Sequence, residues 1–235
     1  MTTLVVLHGA SGSAKTWESV GLEGAGDVLA LDLPGRGETP GPARSSVSEL
    51  AAWLVEELDR RGVAEAVVLG HSLGGAVALQ AAMDAPERVS GLVLVSSAAR
   101  LRVHPSIFEA VEASTPDRPF RLDMAFGEGA SRDVVDGYAA ATASVPPQTA
   151  MADWRACDGF DVRERLGEVS CPTLVVYGDA DALTVPRFQG GLAKALGAET
   201  AVVEGAGHML PWEAPRRLVE IVRGWVRGEQ TRPNA

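Results

Sequence analysis

Ser72 stands in Gly70-His71-Ser72-Leu73-Gly74-Gly75, between an apolar β-branched run and a stretch of small and apolar residues at helical spacing that continues to Ala82. A serine hydroxyl attacks a carbonyl only if a base removes its proton and a third group fixes the base's tautomer and steadies its charged form. A strand that runs through G-x-S-x-G into a helix solves the problem of presentation. The turn forces the serine into strained backbone angles, Gly70 and Gly74 leave room for it, and the helix directs a positive dipole at Oγ. With 26 glycines in the chain the five-residue pattern is weak alone, so its partners decide.

The chain has four histidines. His208, in Gly-Ala-Gly-His-Met-Leu-Pro just after the last apolar run, is the candidate general base. His8 ends the first run, His71 is expected to point into the sheet, and His104 opens a long intervening segment, so these three read as structural or solvent-facing. The acid should end another strand, where Asp179 and Asp181 follow Tyr177-Gly178. Asp181 is preferred because it lies further out on the loop, whereas an aspartate beside the Gly178 turn often bonds local backbone. Asp32, before Pro34, Gly35 and Gly37, reads as part of a tight turn. Asp153, Asp158 and Asp161 either approach the pocket or are solvated on the surface. Reading Asp179, Asp181 and His208 as metal ligands would leave the serine turn without a purpose, so neither a metal nor another cofactor is expected. A tetrahedral intermediate needs two fixed N–H groups, and Gly9 and Gly12 make His8-Gly9-Ala10-Ser11-Gly12 a close-approach loop.

These residues need a scaffold that gathers loops along one edge. Short runs at Leu4–Leu7, Val28–Leu31, Ala66–Leu69, Leu92–Val95, Thr173–Tyr177 and Thr200–Val203 read as buried parallel strands. Helical patterns at Val47–Arg61, Leu73–Ala85, Phe188–Leu196 and Pro215–Val226 separate most of them. Alternation of this kind predicts an α/β fold with a doubly wound, mainly parallel sheet of about six strands. The interval after Ala98 has no convincing strand, and its apolar residues, among them Ile107, Met124, Tyr138 and Trp154, fall at helical spacings between Pro105, Pro116, Pro119, Pro146 and Pro147. The expected organisation is core at 1–98, a small helical cap at 99–169, core again at 170–227, and a flexible polar tail at 228–235.

The 235 residues, 46% hydrophobic and 22% charged, suffice for one substantial core. A net charge of −10 without a Lys/Arg cluster argues against nucleic acid and membrane surfaces as partners and leaves a small molecule. The first apolar run follows Met1 with no signal-like segment, and no uncharged run is long enough to span a bilayer, so a cytoplasmic location is expected. Cys157 and Cys171 read as packed free thiols.

The motifs LHGASGS, ALDLPGRGET, VVLGHSLGG, PTLVVYGDADALTVP and GAGHMLPWEAP, in this order, resemble the α/β-hydrolase fold superfamily over nearly the whole chain. That resemblance implies Ser72 as nucleophile, Asp181 as acid and His208 as base, in that superfamily's chain order, with the backbone amides of Ala10 and Leu73 as oxyanion hole. The leading strands common in relatives are not seen before the His-Gly strand. The activity implied is a serine esterase of the carboxylesterase or pimeloyl-carrier-protein methyl-ester esterase type, acting through an acyl-enzyme on a small to medium apolar acyl group. Lactonases and carbon–carbon bond hydrolases carry the same triad, and a non-catalytic receptor on the same fold is the alternative of another class. The insert's arginines are offset by at least as many acids, so docking of an acidic acyl-carrier protein is left open without support.

Overall fold

The structure, a computed structural model, describes residues 2–18, 20–115, 118 and 120–228. The apolar runs become β1 (Thr3–Leu7), β2 (Asp27–Leu31), β3 (Ala66–His71), β4 (Val89–Val95), β5 (Thr173–Gly178) and β6 (Glu199–Val203). They pair in parallel in the order β2-β1-β3-β4-β5-β6. Period-two alternation sends Val5 and Leu7 to one core layer and Leu4 and Val6 to the other. Helices cover both faces, which is why the central strands are apolar on both sides. The first layer is closed by α2 (Val47–Arg60), α3 (Leu73–Asp84) and α7 (Pro186–Leu196), the second by α1 (Lys15–Glu18) and α9 (Pro215–Val226). Burying each such Leu or Val side chain contributes about 1.5–3 kcal/mol.

β4 begins three residues before its apolar run because Gly91, which interrupts the pattern, lies inside the strand. A Cβ there would stand 3.1 Å from the Trp225 ring of α9, so the glycine makes room for that helix. The four-residue α1 and α8 (Leu210–Glu213) are too short to carry a periodic signal. From β1 the chain moves outward to β2 and then crosses back to β3. The loops after β1 and β3 therefore leave the sheet side by side at the switch point, where open α/β sheets bind ligands.

Between β4 and β5 lie α4 (Pro105–Glu112), α5 (Arg132–Thr142) and α6 (Pro147–Asp158). Two backbone hydrogen bonds staple the ends of this segment together, Leu101 N–H to Phe160 O (3.2 Å) and Val162 N–H to Ala99 O (2.9 Å). Ile107, Val111, Leu122, Tyr138, Trp154 and Phe160 join the first core layer, whereas Met124 is 63% exposed. Pro116, Pro119 and positions 229–235 of the polar tail lie outside the described residues. Among the described residues no helix is long and apolar enough to cross a membrane.

Candidate active site

Ser72 has φ 51° and ψ −113°, a conformation that an L-residue adopts at a cost of about 1–3 kcal/mol and only where its surroundings enforce it. The enforcement is steric. A Cβ on Gly70 would run into the Gly74 carbonyl, one on Gly74 would stand 2.5 Å from Leu7 O, and one on Gly75 2.6 Å from Ser97 Cβ. Three hydrogen bonds then fix the turn: Ser72 N–H to Val95 O (2.9 Å), the Ser97 hydroxyl to Ser72 O (2.9 Å) and Ala76 N–H to Ser72 O (3.1 Å). Ser97, which carries no motif, is a support that the sequence did not disclose.

His208 and Asp181 meet across two loops. His208 Nδ1 lies 3.0 Å from Asp181 Oδ2, with both side chains at most 5% exposed. The carboxylate is saturated with donors: Leu183 and Thr184 N–H reach Oδ1 at 2.9 Å, while the Thr184 hydroxyl (2.7 Å) and Gln189 Nε2 (3.0 Å) reach Oδ2. Burial pushes the Asp181 pKa up, but the His208 charge and hydrogen bond and the Thr184 donors outweigh it and hold the carboxyl below its ordinary value. Asp179 instead accepts Gly205 N–H at 2.6 Å and braces the loop that carries His208. Thr184 and Gln189, both buried, were not singled out in the sequence because neither residue type signals a carboxylate support.

The backbone of His208 is held from both sides. Its N–H donates to Ala125 O (2.8 Å) in the inserted segment, and its carbonyl accepts from His71 Nε2 (2.9 Å). The expectation that His71 points into the sheet is corrected here. It is the last residue of β3, so its ring emerges at the sheet edge, 5.1 Å from the His208 ring. Burial, then repulsion from His208, lowers the His71 pKa from 6.5 to about 3, so the ring stays neutral, and its one N–H, on Nε2, faces the His208 carbonyl.

The loop after β1 is also over-determined. His8, held neutral by burial and by Arg36, donates from Nδ1 to Gly9 O (2.8 Å) and accepts Leu33 N–H at Nε2 (3.1 Å). Ser11 has φ 57°; its N–H donates to Asp153 Oδ2 (2.9 Å) and its hydroxyl accepts from Trp154 Nε1 (2.9 Å). Arg36 forks Asp153 at 2.6 and 2.7 Å and donates to Gly12 O (2.9 Å). Asp153 is therefore not a solvated surface residue: it is 1% exposed and ties α6 to the Gly9–Gly12 loop. Asp158 accepts Val103 N–H and Asp161 pairs with Arg100 and Arg163. Asp32 joins two loops as an acceptor for Ala14 and Glu38 N–H. His104 caps α4.

Ser72 and His208 line two adjoining cavities. One, of about 10 Å³, is bounded by Gly9, Ala10, Tyr138 and Trp154 and holds about one water-sized group. The other, of about 830 Å³, opens between the inserted segment and the start of α7. Among the described residues the Ala10 and Leu73 N–H groups donate to no protein acceptor, and Leu73 begins the helix that follows the serine. No cluster of three or more His, Cys, Asp or Glu suited to a metal occurs among the described residues. Cys157 is buried and Cys171 half-buried, both as free thiols.

A doubly wound parallel sheet with a strained serine turn at its switch point defines a class. Residues 4–221 match the family model described as Alpha/beta hydrolase family, and the chain belongs to that family. Over 243 residues it is 30% identical to the dihydrolipoyllysine-residue acetyltransferase component of the acetoin cleaving system of Pseudomonas putida, covering 96% of this chain but only 64% of that protein. It is also 30% identical to the pimeloyl-(acyl-carrier protein) methyl ester esterase of Pectobacterium carotovorum, over 88% of this chain and 87% of that one. A solved thermophilic esterase from Thermogutta terrifontis superposes with a TM-score of 0.83 at 26% identity, over 98% of this chain and 91% of that one.

Proposed function

We propose that this protein is a serine carboxylic-ester hydrolase. The observation that carries the reading is the Asp181–His208 pair: Nδ1 is bound to the carboxylate at 3.0 Å, and the same imidazole lines both cavities with Ser72. In this reading Nε2 is the nitrogen left to take the Ser72 proton. Oγ attacks the ester carbonyl, and the Ala10 and Leu73 N–H groups receive the charge that develops on oxygen. Such a donor is worth about 3 kcal/mol of barrier. His208 then hands its proton to the leaving alcohol, and Asp181 steadies the imidazolium meanwhile. Water activated by the same imidazole releases the acid from the acyl-enzyme. Ser72 Oγ makes no hydrogen bond among the described residues, and contacts of this kind tighten when substrate is bound.

In this reading the segment 99–169 acts as a cap that shapes the larger cavity. Walls supplied by Leu101, Ile107, Trp154, Leu183 and Leu192 suit an apolar chain of small to medium length. Similarity to two esterases supports the ester as the bond cleaved. The test is turnover of p-nitrophenyl butyrate: Ser72→Ala should lose on the order of a thousandfold or more of kcat at an unchanged unfolding temperature. Retention of activity by that variant would overturn the assignment, and absence of turnover in the unaltered protein would favour a binding role.

A further inference from the structure

The larger cavity is lined by apolar side chains and by several arginines as well as by Ser72 and His208. Arg100, Arg102, Arg163 and Arg187 line it, with no Asp or Glu among the lining residues, in a chain whose formal charge is −10. Arg100 and Arg163 share one carboxylate, Asp161, at 3.4 and 2.7 Å. Arg102 and Arg187 are exposed and make no ion pair among the described residues, and the Arg187 guanidinium is stacked 4.7 Å over the Phe188 ring. Nearby, Asp158 accepts Val103 N–H and Glu164 lies beside Arg163. With Arg100 and Arg163 committed to Asp161, Arg102 and Arg187 are left to meet an anionic group such as a carboxylate. Arginine presents its donors in a planar fork suited to that group, and a cation beside low-dielectric walls is screened less than one on an open surface.

We propose that the cavity takes esters whose chain ends in a carboxylate remote from the scissile bond, bound at the mouth by Arg102 and Arg187. The apolar middle of the chain lies along Leu101, Ile107 and Leu192, and the ester group reaches Ser72. This rests on the ester-hydrolase reading for the reaction, but the ion recognition is separable from it.

The experiment compares kcat/KM for monomethyl adipate and methyl hexanoate, a carboxylate-bearing ester and a neutral ester with the same six-carbon acyl chain. The unaltered protein should prefer the anionic ester by about tenfold, a preference that shrinks in high salt. In the double variant Arg102→Gln with Arg187→Gln the ratio should fall by about tenfold, while Arg217→Gln, on the far helix α9, leaves the ratio as it was. Titration of monomethyl adipate into Ser72→Ala protein, with and without the two arginine changes, reads binding when no turnover occurs. Weaker binding after the arginine changes supports the inference even if neither ester is cleaved. Equal kcat/KM for the two esters in the unaltered protein, or binding indifferent to both arginines, overturns it and leaves the esterase reading to its own test.

Discussion

The two ends of the site are held by opposite means. Around Ser72 the lock is the absence of side chains: Gly70, Gly74 and Gly75 let backbone approach backbone so closely that the serine has one conformation left. Around His208 and Asp181 the lock is an abundance of polar partners, with five hydrogen-bond donors converging on one buried carboxylate and the histidine backbone bonded on both sides. A steric lock is strained at once when one atom is added. A polar network loses strength in steps, one donor at a time. Changes at the first end should therefore act on folding and changes at the second on rate.

The largest effect is expected at the centre of the polar end. His208→Ala should lower kcat on the order of a thousandfold or more, and Asp181→Asn should do comparable damage by favouring the wrong tautomer. Asp179→Asn should cost far less, because that side chain touches Gly205 and not the imidazole. Steady-state rates of the three variants check the ranking, and a more damaging Asp179 change would move the acid. Next comes the steric end: Gly74→Ala places a Cβ 2.5 Å from Leu7 O and 2.7 Å from His8 O, neither of which can swing away. Overpacking of that kind costs about 1–3 kcal/mol or more, so urea unfolding should shift to a clearly lower midpoint. An unshifted midpoint would show that the turn is looser than its contacts imply. Gln189→Leu removes one of the five donors on Asp181 and should reduce kcat by about threefold to tenfold with little change in KM. A loss as large as that of Asp181→Asn would make the network all-or-none.

A separate effect is a dependence of stability on pH. His71 has a pKa of about 3 in the folded protein against 6.5 for a free histidine. Between these values the unfolded chain binds a proton that the folded protein refuses, so stability is fully present above 6.5 and declines as pH falls toward 3. Thermal unfolding of His71→Asn across that window should show a shallower acid-side slope than the unaltered protein. Parallel slopes would place the proton elsewhere.

The same contrast explains what could be read from residues alone. Ser72 and its glycines form one contiguous motif, and the strands are apolar because both sheet faces are covered, so both were legible. His208 and Asp181 were legible as residue types on the loops that follow apolar runs. Thr184, Gln189 and Ser97 were not, because their roles depend on contacts that no spacing encodes. Asp153 did leave a signal: Ala150, Asp153, Trp154 and Cys157 make the buried stripe of α6, and a carboxylate on such a stripe requires a buried cation. Arg36, inside an apparent turn motif, is that cation. His71 differs from its expectation because it is the last residue of β3, where the sheet face gives way to the loop that carries His208.

The central claim is that Ser72 is an activated nucleophile coupled to His208 and Asp181. Treatment of the intact protein with a fluorophosphonate, followed by mass spectrometry of the whole chain and its peptides, tests it most directly. A single adduct on the peptide containing Ser72, formed rapidly in the unaltered protein and far more slowly in His208→Ala, is the predicted result. An unlabelled Ser72, or labelling at the same rate without His208, would contradict it.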